Sequence, residues 1–220
     1  MNLKKRKVNY LFASIYFFAL LFTVYMAITY IINDAANAGI VEPKFQNDNF
    51  SISTWKLVFY PHIFLGTVSL LIGPFQLLKS SKKNPTVHRI LGRIYAMAIF
   101  INVLVVPYLA IFATGGKPST IAFLVLDGSW LITTAMGIWF ILKKDVNSHK
   151  KWMYRSYGIT WVFVTFRFVT PIISLLFHVP NSVSFPAGVY ISIFGNLLLV
   201  ELYLRKKHKA VISKHKVISK

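Results

Sequence analysis

The sequence predicts an all-α fold: a polytopic membrane bundle of six transmembrane helices. Three observations carry this. First, 55% of the 220 residues are hydrophobic and only 14% are charged, with a mean hydropathy of +0.57. A soluble domain carries about 25% charged residues. Second, the apolar residues fall into six runs, each near the ~20 residues that a bilayer crossing needs. Third, the basic residues cluster on alternate connections between those runs.

Taken in order, the runs are residues 8–32, 58–78, 90–113, 121–142, 152–177 and 183–204. The first follows Lys4, Lys5, Arg6 and Lys7 and precedes Ala36-Asn37-Ala38, which has the form of a signal-peptidase site. The apolar run before it is 25 residues long. Signal sequences use about 7–15 apolar residues, so an uncleaved first helix is expected. Residues 33–56 form the one long connection. The third and fourth runs are divided by Thr114-Gly115-Gly116-Lys117-Pro118, and the fifth and sixth by Val179-Pro180-Asn181-Ser182, both with turn chemistry. Pro107 and Pro171 are expected to kink their helices and free a carbonyl each. Residues 1–204 read as one membrane domain and 205–220 as a basic tail.

The formal net charge of +19 would suggest nucleic acid on a soluble protein. Its distribution argues otherwise. The N-terminal segment holds four basic residues, the second-to-third and fourth-to-fifth connections five each, and the tail seven. The opposite side has Lys44, Lys56 and Lys117, and Arg167 lies within a span. The positive-inside rule then places both termini in the cytoplasm of a bacterial-type plasma membrane, with no role for nucleic acid. The tail repeats itself, Lys207-His208-Lys209-Ala210-Val211-Ile212-Ser213-Lys214 being followed by Lys214-His215-Lys216-Val217-Ile218-Ser219-Lys220. Each basic residue near anionic headgroups contributes about 1 kcal/mol, so the tail is expected to lie on the bilayer surface. With no cysteine, disulfides, thiolate metal sites and covalent c-type heme are excluded.

Polar residues within the spans recur at helical spacing, as expected of side chains that face a bundle interior. His62, Gly66, Ser69, Gly73, Gln76 and Ser80 share one face of the second span. His88, Gly92, Tyr95 and Asn102 do so on the third, and Asp127, Trp130, Thr134 and Gly137 on the fourth. On the fifth, His149, Ser156, Thr160, Arg167, Ser174 and His178 align, with His149 and Arg167 18 residues, or five turns, apart. Ser192 and Asn196 mark a weaker stripe on the sixth. Spans two to five are therefore expected to form a four-helix core flanked by spans one and six. Packing is the plain reading of Gly66, Ser69, Gly73, Ser156 and Thr160.

The ionisable residues fall into two layers. In the outer one, Asp127 and Arg167 lie at similar depth and could pair, with His62 close by and His178 at the mouth; Gln76 and Asn102 join His62, Asp127 and Arg167 as candidate polar-core residues. Either a structural ion pair or a functional site fits this pattern. In the inner one, His88 and His149 stand at the start of their spans beside Arg89, Arg93 and Arg155, with Tyr95 further along. Two histidines at one depth can ligate heme b iron from both faces, and the arginines suit its propionates. Two interfacial histidines beside headgroups are the alternative.

Several segments also carry a resemblance. His62-Ile63-Phe64-Leu65-Gly66, Gly73-Pro74-Phe75-Gln76-Leu77, His88-Arg89-Ile90-Leu91-Gly92-Arg93-Ile94-Tyr95 and His149-Lys150-Lys151-Trp152-Met153-Tyr154-Arg155-Ser156-Tyr157, followed by Arg167, resemble a bacterial family of predicted membrane proteins known as domain of unknown function 2306. The resemblance spans residues 60–168 and implies a membrane location and little mechanism. More loosely, the chain is similar to six-helix di-heme b-type cytochromes, which carry histidines on four central helices. Here the second, third and fifth spans supply His62, His88 and His149, and the fourth supplies none.

These readings lead to a heme-binding or redox membrane protein using His88 and His149. The alternatives are a small-ligand or ion transporter built on His62, Asp127 and Arg167, and an accessory subunit of a membrane complex. Hydrolase and nucleotide-binding motifs are absent.

Overall fold

The computed structural model describes residues 3–39, 41–78 and 84–218. Ser80 of the second-span stripe, and Lys79, Lys82, Lys83 and Lys220 of the basic clusters, lie outside the described residues, as do the side chains of Lys4, Lys5, Arg6, Lys7, Lys214, His215 and Lys216.

Among the described residues, seven α-helices form: α1 (Leu3–Met26), α2 (Ile52–Leu77), α3 (Pro85–Ile111), α4 (Lys117–Leu142), α5 (Val146–Thr160), α6 (Val162–Phe177) and α7 (Asn181–Ile218). Among them, five spans are long and apolar enough to cross a membrane, or six if α5 and α6, bent by 42° at their junction, count as one span. Their starts follow the capping rules. Ser51 Oγ accepts from the Thr54 amide, Asn84 Oδ1 from Val87 ahead of Pro85, and Asp145 Oδ1 from Asn147 and Ser148. Gly115, at φ 95°, turns the chain between α3 and α4 in a conformation that disfavours a side chain.

The sequence suggested one continuous fifth span; the structure breaks it at Trp161. Two side chains explain this. Asn196 Nδ2 donates to the Gly158 carbonyl at 3.1 Å, the group a continuing helix would offer to residue 162. Thr160 Oγ1 donates back to the Ser156 carbonyl at 3.0 Å, a contact that bends helices. Pro107 and Pro171 instead lie inside the unbroken helices α3 and α6.

The packing also differs from a four-helix core with two flanking spans. Helix α2 packs on α3, α3 on α4, and α4 on α5, while α7 packs on α4, α5 and α6. The last helix is thus part of the core. Helix α1 lies on the outside, against α2. Glycine permits the closest approach between α2 and α5: a Cβ on Gly73 would stand 2.1 Å from the Tyr157 ring, whose hydroxyl donates to the Leu70 carbonyl at 3.2 Å.

At the end of the bundle carrying the long connection, the described residues 33–39 and 41–51 include two short helical turns, Ala35–Asn37 and Glu42–Gln46. Lys44 fastens this segment to the α3–α4 loop. Its ammonium donates to the Phe112 carbonyl and to Thr114 Oγ1, and lies 5.9 Å from the centre of the Trp55 ring. Lys44 is only 8% exposed, and burial pulls its pKa down to about 8. Lys56 pairs with Asp34 at 2.6 Å nearby.

Two predictions follow from this packing. Gly73→Ala should destabilise the bundle by about 1–3 kcal/mol through overpacking. Gly195→Ala, where nothing lies within 4 Å of the added Cβ, should leave it unchanged; thermal unfolding in detergent compares the two. The folded ammonium of Lys44 loses its proton near pH 8, whereas the unfolded chain keeps it to about 10.4. The unfolded state therefore binds more protons in that window, and stability should rise with pH there by at most about 1.4 kcal/mol per unit. Unfolding measured from pH 7.5 to 10.5 should lose this component in Lys44→Met.

Candidate functional site

A cavity of about 550 Å³ opens between α1, α2, α3, α4, α6 and the start of α7, with Lys44 and Thr114 also lining it. Its walls are aromatic, including Phe22, Trp55, Phe59, Trp130, Phe163 and Phe166. His62, Asp127 and Arg167 all line it. The fold thus gathers the three ionisable residues of the outer layer around one space. The size falls within the ~300–1,000 Å³ of small-molecule pockets, which combine apolar walls with a few polar groups.

The arrangement of the three differs from the ion pair expected for two of them. Among the described residues the ion pairs are Lys56–Asp34 and Arg155–Glu201, and Asp127 and Arg167 do not form one. Asp127 is 7% exposed, and its Oδ1 has no hydrogen-bond partner. Arg167 donates from Nη1 to the Phe163 carbonyl one turn earlier, at 2.9 Å. Its guanidinium carbon lies 5.0 Å from the Phe166 ring centre and 5.3 Å from that of Phe22 on α1. Aromatic faces and a backbone carbonyl hold this cation, not a carboxylate.

His62 is oriented by Asn102. Asn102 Oδ1 accepts from Nδ1 at 2.7 Å, and Asn102 Nδ2 donates to the His62 carbonyl at 3.3 Å. This places the proton of the neutral ring on Nδ1 and the lone pair on Nε2. Asn102 is fully buried and acts behind the cavity wall. Phe59 and Phe163 flank the imidazole. His178 is exposed beyond the end of α6 and does not line the cavity. Gln76 is buried at the other end of α2, where its Oε1 faces Gly92 of α3.

Two further unpartnered oxygens line the same cavity, Thr170 Oγ1 and Ser184 Oγ. A native interior leaves few such atoms unexplained, and three of the residues that carry them border this cavity. Sequence reasoning did not find Thr170, Ser184 or Lys44. The hydroxyls belong to helix faces with ordinary packing chemistry. Lys44 is buried only because a distant loop folds over the bundle.

The inner-layer residues have other partners. Tyr95 belongs to a hydrogen-bonded knot joining α3, α4 and α5. Its hydroxyl meets Ser156 Oγ at 2.9 Å and Thr160 Oγ1 at 3.0 Å. Trp130 Nε1 donates to Thr160 Oγ1 at 2.9 Å, and Thr134 Oγ1 meets Ser156 Oγ at 2.7 Å. His149 Nδ1 donates to the Gly137 carbonyl at 2.7 Å and ties α5 to the end of α4. His88 is half-buried in the first turn of α3, and Arg93 is exposed. Arg155 Nε donates to Glu201 Oε1 at 2.6 Å and its guanidinium covers Trp152. Arg155 and Tyr95 are thus hydrogen-bonded to protein partners. Neither inner histidine lines the cavity.

Comparisons with known proteins agree with the membrane assignment. No curated protein and no solved structure matches the chain significantly. The similarity to di-heme cytochromes is accordingly not confirmed. A family described as "Predicted membrane protein (DUF2306)" matches residues 59–204. That stretch contains His62, Asp127, Arg167 and the histidine–arginine segments of α3 and α5. With five to six apolar spans and helices throughout the described residues, and with a family match over most of its length, the chain belongs to the DUF2306 family of predicted membrane proteins.

Proposed function

We propose that the protein is a multi-pass plasma-membrane protein that binds a small molecule with an apolar body and a polar head in the cavity lined by His62, Asp127 and Arg167. The basic connections and tail face the cytoplasm and its anionic headgroups, and the Lys44 end faces outward. One observation carries the reading: a roomy aromatic cavity gathers His62, Asp127 and Arg167 on its walls, and Asp127 Oδ1 has no hydrogen-bond partner. An unpartnered buried polar atom costs about 1–3 kcal/mol. A ligand offering hydrogen bonds there offsets that cost, while the aromatic walls take its apolar body. His62, fixed by Asn102 with Nε2 as acceptor, adds directional recognition. Binding at this depth suits uptake or transfer of a molecule that partitions into the outer leaflet.

The test uses tryptophan fluorescence of the full chain in lipid nanodiscs, with 2-(4-bromophenyl)ethanol as a neutral heavy-atom quencher. Saturable quenching should be carried by Trp55 and Trp130 and disappear in Trp55→Phe/Trp130→Phe. Asp127→Leu should weaken it at least about tenfold, the loss expected of a hydrogen bond to a charged group. Non-saturable quenching, or an affinity indifferent to Asp127, would refute the reading.

A further inference from the structure

The two intramembrane charges of the cavity have opposite sign and do not neutralise each other. Asp127 lies ten residues into α4 from Lys117, and Arg167 ten residues before the end of α6 at Phe177. At about 1.5 Å per residue each stands roughly 15 Å from the same end of the bundle. Both line the cavity, yet no ion pair joins them, and Asp127 Oδ1 bonds to nothing. Isolated charges in a low-dielectric interior are costly unless paired. Two residues of opposite charge at one depth, lining one cavity with no ion pair between them, are complementary to a molecule that carries both charges.

We infer that the cavity binds a zwitterion on an apolar body, with its anionic oxygens on Arg167 and its ammonium on Asp127. This rests on the cavity being a ligand site and names the chemistry of its head. Arg167 spends one of its five N–H donors on the Phe163 carbonyl. The planar fork presents paired donors to a carboxylate or phosphate. Asp127 accepts from the ammonium, a group with three donors. Thr170 and Ser184 also line the cavity. A cation alone would meet Arg167, and an anion alone would meet Asp127, so the pair discriminates against both by repulsion. The head could arrive on a small aromatic amine-acid or on a zwitterionic lipid; the chemistry shared is an ammonium a few bonds from an acidic oxygen.

The test keeps the aromatic body constant and deletes one charge at a time. Nanodisc-embedded full-length protein is titrated with 4-bromophenylalanine, 3-(4-bromophenyl)propionate, 2-(4-bromophenyl)ethylamine and 2-(4-bromophenyl)ethanol, reading the quenching of Trp55 and Trp130. 4-Bromophenylalanine should bind at least tenfold more tightly than either singly charged analogue. Arg167→Gln should reduce it to the affinity of the amine and Asp127→Asn to that of the propionate. Both variants should keep the helix content and elution volume of the wild-type protein, which reports an intact fold, and Arg167→Lys should restore only part of the loss. A parallel series of dodecylphosphoethanolamine, dodecyl phosphate and dodecylamine, read by competition, separates the sources: a tenfold zwitterion preference in this series alone assigns a lipid headgroup. If a singly charged probe equals the zwitterion in both series, the charge-pair inference is overturned while binding of the alcohol leaves the cavity reading standing. If no probe binds, both are overturned.

Discussion

The knot around Thr160 holds the bundle in its observed shape. In hydrocarbon there is no water to satisfy a hydroxyl, so each must find its partner within the protein. One consistent set of donors runs from Thr134 to Ser156, from Ser156 to Tyr95, and from Tyr95 to Thr160, with Trp130 also donating to Thr160. Thr160 then donates to the Ser156 carbonyl of its own helix. Five side chains from α3, α4 and α5 are joined with no hydroxyl left over. Individual bonds of this kind average only about 0.6 kcal/mol in membrane proteins. Their value here is geometric, since a network satisfied in one arrangement is unsatisfied in others.

From that knot the rest follows along the chain. Thr160 bonding back to Ser156 and Asn196 capturing the Gly158 carbonyl end α5 and start α6 at a new angle. Helix α6 carries Arg167, Thr170 and Ser174 into the cavity wall, while α5 keeps Ser156 and Tyr157 in the packed interior. One span thus has a dense half and an open half. The glycine approach of Gly73 to Tyr157 tightens the dense half further. At the open end, Lys44 binds the Phe112 carbonyl and roofs the space.

The open half tolerates polar atoms that the dense half does not. The knot leaves no member unpaired, whereas the cavity leaves Asp127, Thr170 and Ser184 each with an unpartnered oxygen. Sites that violate packing and satisfaction rules are where function concentrates. Arg167 shows the same division. It is stabilised enough to stay in place, by Phe163, Phe166 and Phe22, and remains without the carboxylate that would make it purely structural.

The sequence by itself located the apolar runs that become the spans, because a bilayer demands about 20 apolar residues and the chain supplies them in discrete runs. It also brought His62, Asp127 and Arg167 to one layer, because charges in apolar runs are few and helical rise converts residue number into depth. It could not place partners. Whether Arg167 meets Asp127 or two aromatic rings depends on the rotation of α6, and that rotation is set by Asn196, 29 residues further along the chain than Arg167. The same holds for Arg155, which spends its charge on Glu201 of α7, and for Lys44, which is buried by a loop. The cavity and its unpaired charges belong to the tertiary structure, because a helix bend and a side-chain hydrogen bond between distant helices leave no periodic trace in the residues that they move.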